Sequence, residues 1–86
     1  MNSIQDVANS AYRIKDAAAQ LQRNTEVCAS SLDRRTMNLQ AVVRGSRTGE
    51  NAVREVQAAA KAVREASANL LTLQTDVDQF IRELTK

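Results

Sequence analysis

The chain has 86 residues and a formal net charge of +2, and its 43% of apolar residues include only two aromatic ones, Tyr12 and Phe80. This length predicts one small domain with a modest core. Because histidine is absent and Cys28 is the single cysteine, the composition excludes an intramolecular disulfide and an ordinary zinc site.

Apolar residues in the first half recur at alternating intervals of three and four. The series is Ile4, Val7, Ala11, Ile14, Ala18 and Leu21, followed by Thr25, Cys28, Leu32, Arg35, Leu39 and Val42, and it thins at Thr25 and is interrupted at Arg35. This spacing predicts a helix over about residues 3–43 with one seam facing a neighbour. The position of Cys28 in the seam predicts a buried thiol that acts as a small hydrophobe. At Arg35, either the register shifts toward Met37 or the arginine stem lies along the seam with its head in water.

Both glycines of the chain lie in the segment 44–49, Arg-Gly-Ser-Arg-Thr-Gly. This segment predicts a sharp turn between two helices. Gly45 suits a left-handed cap at the end of the first helix. Ser46 or Thr48 can cap the start of the second helix, with Gly49 as the last residue of the turn.

The second half has the more regular pattern and predicts a helix over about residues 49–85. One apolar series is Val56, Val63, Leu70, Val77 and Leu84, and the other is Ala52, Ala59, Ala66, Leu73 and Phe80. Such a heptad alternation keeps one face of a helix against a neighbour. The sequence therefore predicts an all-α fold, in which residues 1–86 form a single antiparallel two-helix hairpin of coiled-coil type.

A two-helix hairpin has one thin seam, so we expect a partner to cover its wider apolar stripes and complete a four-helix bundle. The partner is expected to be a helical protein, either a second copy or a different chain. The predicted partner-binding residues are Val56, Val63, Leu70, Leu71, Leu73, Val77, Phe80, Ile81 and Leu84 on the second helix, and Ile4, Val7, Ile14 and Leu21 on the first. Leu71 and Ile81 are expected to flank the seam.

The charges are unevenly distributed along the predicted rod. Residues 34–64 carry a net charge of +5, whereas residues 1–33 carry −1 and residues 65–86 carry −2. The loop end is therefore expected to be positive. This charge is compatible with a solvated surface, with docking to an acidic partner, or with head-to-tail stacking of rods. The basic residues form no dense block and lack aromatic neighbours, which argues against nucleic acid as a partner.

The sequence lacks the combinations of residues that carry catalysis. It has no histidine, no phosphate-binding loop and no metal-ligand cluster, so we expect no enzyme activity, cofactor, metal or small-molecule ligand. No run of about 18 apolar residues is present, which predicts no membrane-spanning helix. The first residues also lack the basic and hydrophobic regions of a cleavable signal peptide.

The small size, central turn and return helix resemble the WXG-type helical proteins of bacterial type VII secretion. Val43-Arg44-Gly45 matches the Trp-x-Gly turn with valine in place of tryptophan, and Phe80 with Glu83 is similar to the aromatic–acid export signal of such proteins. The chain most resembles the small helical partners of LXG toxins. The resemblance implies a non-catalytic protein that binds a toxin's N-terminal helical domain and assists its export. It also implies a bacterial cytoplasmic location, with export without a cleavable signal as an alternative.

Two other functions remain open from the sequence. One is a self-assembling hairpin subunit of a secretion needle or filament, although such subunits usually carry proline in the turn and this chain has none. The other is a homodimeric coiled-coil adaptor. A filament subunit polymerises alone, an adaptor forms a stable homodimer, and a toxin partner forms a stoichiometric complex with a helical domain.

Overall fold

The computed structural model describes residues 3–86 and consists of two long helices. α1 spans Ile4–Val42 and α2 spans Arg47–Leu84. The helices pack side by side in opposite directions and form a rod of 63 × 18 × 14 Å. The predicted all-α, two-helix hairpin is thereby confirmed.

α1 begins with a capping box. The Ser3 hydroxyl accepts a hydrogen bond from the Asp6 backbone N–H at 3.1 Å, and the Asp6 carboxylate accepts one from the Ser3 backbone N–H at 3.3 Å. This reciprocal pair satisfies backbone donors that have no partner inside the helix. It fixes the start of the chain's longest element.

The turn is shorter than the sequence predicts. Ser46 is the N-cap of α2 and accepts a hydrogen bond from the Gly49 backbone N–H at 3.1 Å, so Gly49 lies in the first turn of the helix rather than in the loop. Gly45 has a φ of +86°, the left-handed conformation that glycine adopts at low cost. The Ser46 N–H donates to the Val43 carbonyl at 2.9 Å and closes the turn.

Three parallel rows of residues on each helix describe the packing, and each row lies four residues further along the chain than the one before it. A step of four residues rotates the side chain by about 40° around a helix with 3.6 residues per turn. The outer row is Val7, Ile14, Leu21, Cys28, Arg35 and Val42 on α1, and Ala52, Ala59, Ala66, Leu73 and Phe80 on α2. The middle row is Ile4, Ala11, Ala18, Thr25, Leu32 and Leu39 on α1, and Val56, Val63, Leu70, Val77 and Leu84 on α2. The inner row is Ala8, Lys15, Gln22, Ala29, Thr36 and Val43 on α1, and Val53, Ala60, Ser67, Gln74 and Ile81 on α2.

The contact between the helices uses the middle and inner rows. Every inner-row residue is buried or half-buried, and so is every middle-row residue except Ile4, which is 63% exposed at the end of the rod. In the outer row only Val7 and Ala52 are half-buried, and the others are exposed. The predicted seam combined the outer and middle rows, whereas the observed seam combines the middle and inner rows. Because each inner-row residue directly follows an outer-row residue in the chain, the seam is displaced by one residue on both helices.

The residues around Arg35 give a physical reason for this displacement. In the predicted seam, Arg35 points between the helices, where an unpaired charge costs several kcal/mol. In the observed seam the buried position is taken by Thr36, whose hydroxyl donates to the Leu32 carbonyl at 2.8 Å. The register does not shift toward Met37, which is 68% exposed on the outside of α1, and Arg35 is exposed in the outer row, beside the seam rather than along it.

The interior of the hairpin is built mainly from small side chains. The buried residues of the described chain are Ala8, Ala11, Ala18, Ala29, Thr36, Val53, Ala60, Ser67 and Ile81. None of the large side chains between residues 3 and 86 is fully buried. Small residues at a helix contact let the backbones approach closely, but they bury little apolar area. Most of the large aliphatic side chains therefore remain partly exposed.

Candidate interaction surface

The middle and outer rows together form one continuous apolar face along the rod. Between residues 3 and 86, six of the ten exposed large apolar residues lie on it, which concentrates exposed hydrophobicity on one side of a rod 18 Å wide. These six are Ile4, Ile14, Leu21, Val42, Leu73 and Phe80. Half-buried residues such as Leu32, Leu39, Val63 and Leu70 fill the space between them. Exposed apolar patches of this length are typical of interaction sites.

Two grooves demonstrate that the outer rows of both helices face the same side. The first, at the terminal end, has a volume of about 320 Å³ and is lined by Val7, Ile14 and Phe80 of the outer rows together with Ala11 and Val77 of the middle rows. The second, near the loop, is bordered by Arg35, Leu39 and Val42 of α1 and by Val56 of α2. The apolar face is therefore shared by the two helices at both ends of the rod.

Arg35 is the one charged residue in the middle and outer rows. Its side chain is exposed, and it borders the groove near the loop beside Leu39 and Val42. The arginine stem can cover neighbouring apolar surface while the guanidinium stays in water. A partner that covers this face therefore has to hydrate or pair the Arg35 charge.

The opposite flank of the helix contact is polar. Lys15 and Asp78 form an ion pair of 2.5 Å, and Gln74 Nε2 donates to Gln22 Oε1 at 2.7 Å. Arg64 and Asp33 form a second ion pair, in which each side chain is about half exposed. Such exposed pairs contribute only about 0–1 kcal/mol each, but they join the two helices along a flank that is largely polar. The hairpin thus has one apolar face and one polar flank.

The structure distributes the predicted partner-binding residues over three environments. Ile4, Val7, Ile14, Leu21, Val56, Val63, Leu70, Leu73, Val77, Phe80 and Leu84 lie on the apolar face. Ile81, in contrast, is 5% exposed and packs inside the hairpin, while Leu71 is 53% exposed on the polar flank, two turns before Asp78. The reason is again the displaced seam, which moves Phe80 outward and Ile81 inward.

Several further residues of the face were not among the predicted partner contacts. Leu32, Leu39 and Val42 continue the face of α1 toward the loop. Their three- and four-residue spacing was visible in the sequence, but the interruption at Arg35 obscured the continuity. Cys28 also belongs to the outer row and is exposed, which corrects the predicted buried thiol.

Phe80 and Glu83, the residues of the export-signal hypothesis, lie one helical turn apart at the terminal end. Phe80 is 45% exposed and lines the groove there. Glu83 is exposed and accepts a hydrogen bond from Gln79 Nε2 at 3.1 Å. Phe80 therefore has a structural environment that is sufficient to explain an aromatic residue at this position.

The loop end of the rod carries the excess positive charge that the sequence predicts. Arg34, Arg35, Arg44, Arg47 and Arg54 are all exposed. Ion pairs between helices engage Arg64 and Lys15 but none of these five arginines. Within the described part of the chain, these five charges are therefore available to a partner.

Residues 3–86 contain no group of three or more histidine, cysteine, aspartate or glutamate side chains placed to hold a metal ion. Neither α1 nor α2 includes a segment long and apolar enough to cross a membrane. Comparisons of the chain with protein families, curated proteins and solved structures give no significant match. The apolar face is the feature of this molecule on which a functional proposal can rest.

Proposed function

We propose that the chain is a non-catalytic helical binding module, and that its apolar face packs against another pair of helices to complete a four-helix bundle. The observation that carries this proposal is the placement of the large aliphatic residues. The hairpin uses alanine, serine and threonine for much of its own interior and keeps leucine, isoleucine, valine and phenylalanine on the open face. A face of this kind gains stability when a partner removes it from water.

The resemblance to the small partners of LXG toxins supports a more specific proposal. In it, the occupant of the apolar face is the N-terminal helical domain of a secreted effector, and binding assists export of the effector by a type VII secretion system. Phe80 and Glu83 at the terminal end contribute to recognition by the secretion machinery. The location in this proposal is the bacterial cytoplasm before export.

The binding proposal is tested by co-expressing the chain with the N-terminal helical domain of an effector encoded beside it, and by measuring the mass of the purified complex. The expected result is a stoichiometric complex. Leu73→Glu is expected to abolish it, because the change puts a carboxylate into an apolar contact. Val27→Glu is the matched control, since Val27 is 71% exposed outside the three rows. Equal loss with both variants would contradict a specific role for the apolar face.

The export-signal proposal needs a separate readout. Glu83→Gln keeps the size of the side chain and removes its charge, so complex formation is expected to persist while export falls. Phe80→Ala is measured for complex formation and for export in the same way. Leu71→Ala on the polar flank serves as its control. Loss of complex and export together for Phe80→Ala, with normal export for Glu83→Gln, would leave only a packing role for the pair.

A further inference from the structure

We propose that, in the absence of another partner, a second copy of this chain occupies the apolar face, with its loop end beside the terminal end of the first copy. The inference rests on the proposed binding role of that face and adds the identity and orientation of its occupant. In this arrangement a two-fold axis perpendicular to the rod sets each helix against its own copy, which runs in the opposite direction.

The size of the face is adequate for a stable dimer. A rod 63 Å long and 18 Å wide offers on the order of 1,100 Å² per copy, whereas stable interfaces bury about 800 Å² per partner. Apart from Thr25 and Arg35, the face consists of apolar residues, and both helices contribute to it. A single partner helix would cover only part of this width, since packed helices lie about 8–10 Å apart.

The charge distribution selects the antiparallel orientation. Residues 34–64 carry a net charge of +5. At the terminal end, residues 1–33 carry −1 and residues 65–86 carry −2. A second copy with its loop at the same end would place positive half against positive half. The reversed copy places the positive half against the negative half. Such charge complementarity favours the antiparallel orientation.

α2 has the same polarity in net charge, since residues 47–65 sum to +1 and residues 66–84 sum to −2.

The border of the apolar face on α1 lies four residues before the outer row and is uncharged. It consists of Ser10, Ala17, Asn24, Ser31 and Asn38. Two copies of α1 can therefore meet without repulsion along this border.

The first measurement is the solution mass of the wild-type chain by analytical ultracentrifugation at low ionic strength, which requires no variant. We expect a dimer, twice the 9.4 kDa of the chain. We also expect the dimer to weaken as sodium chloride is added, because added salt screens attraction between opposite charges. A monomer, or an open series of larger assemblies, would overturn the proposal.

The orientation is measured by the distance between spin labels in a Cys28→Ala, Thr48→Cys variant. This variant removes the single native thiol and places one label on an exposed position at the loop end. The antiparallel dimer gives a label-to-label distance of about 50 Å, because Thr48 lies about 26 Å from the middle of α2 at a rise of about 1.5 Å per residue. A distance on the order of 20 Å, as expected for neighbouring loops in a four-helix bundle, would overturn the proposed orientation.

Leu73→Glu and Val27→Glu separate this inference from the proposed function. Leu73→Glu is expected to raise the dimer dissociation constant at least about tenfold, since a buried unpaired carboxylate is costly, while Val27→Glu leaves it unchanged. A monomeric wild-type chain that still forms the complex with the effector domain would refute the second copy alone. A wild-type dimer that forms no complex with that domain would instead refute the effector partner.

Discussion

Gly49→Ala tests the close approach between the first turn of α2 and Val43 at the end of α1. A Cβ added at Gly49 would overlap the Val43 Cβ and would lie 2.9 Å from Val43 Cγ2. Overpacking of this kind costs about 1–3 kcal/mol. Alanine also favours the helical backbone over glycine by about 0.5–1 kcal/mol. The net expectation is a loss of up to about 2.5 kcal/mol in the free energy of unfolding.

A double-mutant cycle makes the origin of this loss measurable. In a Val43→Gly background the clashing Cβ and both of its methyl groups are gone, so Gly49→Ala is expected to stabilise the hairpin by about 0.5–1 kcal/mol. Urea unfolding followed by far-UV circular dichroism at one fixed protein concentration gives all four free energies. A destabilisation by Gly49→Ala that is the same in both backgrounds would refute the close contact between Gly49 and Val43.

Ile81→Val is expected to lower the free energy of unfolding by about 0.5–1.5 kcal/mol at any protein concentration because Ile81 packs inside the hairpin. Phe80→Leu is expected to have an effect that grows with protein concentration, since Phe80 lies on the apolar face, and urea unfolding at low and high concentration compares the two. Ser3→Ala removes the capping box and is expected to cost about 0.5–2 kcal/mol, measured as increased amide exchange in the first turn of α1. Lys15→Met is expected to change stability by less than about 1 kcal/mol because its ion pair with Asp78 is about one-third exposed.

Each of these expectations has a contrary outcome. Equal concentration dependence for Ile81→Val and Phe80→Leu would contradict the assignment of the two residues to different rows. Unchanged amide exchange after Ser3→Ala would argue that the first turn is held by other contacts. A loss of several kcal/mol for Lys15→Met would make the polar flank a main source of stability.

The sequence predicts the hairpin because its signals are local. The three- and four-residue spacing defines two helices, and the paired glycines define the turn between them. Gly45 has the predicted left-handed conformation. The position of Gly49 was harder to predict because Ser46 and Thr48 are both good N-caps, and the choice of Ser46 moves the start of α2 by two residues relative to the predicted start at residue 49.

The side of each helix that faces its neighbour could not be read from spacing alone. Three adjacent rows carry enough small or apolar residues to form a seam. Hydrophobicity favours the pair of outer and middle rows, which contains Ile14, Leu21 and Phe80. The hairpin uses instead the pair that contains Thr36 and Ile81. Heptad periodicity gives the spacing of the seam residues, but it does not distinguish two seams that differ by one residue. Close packing between small residues selects the observed seam.

The most direct test of the binding proposal compares wild type, Leu73→Glu and Val27→Glu by sedimentation, each alone and mixed with the effector's helical domain. All three chains are first compared by circular dichroism, and equal helicity is expected because both substituted positions are exposed. The apolar face predicts that Leu73→Glu loses association while Val27→Glu retains it. Undiminished association of Leu73→Glu, or equal loss in both variants, would contradict the claim that this face binds a helical partner.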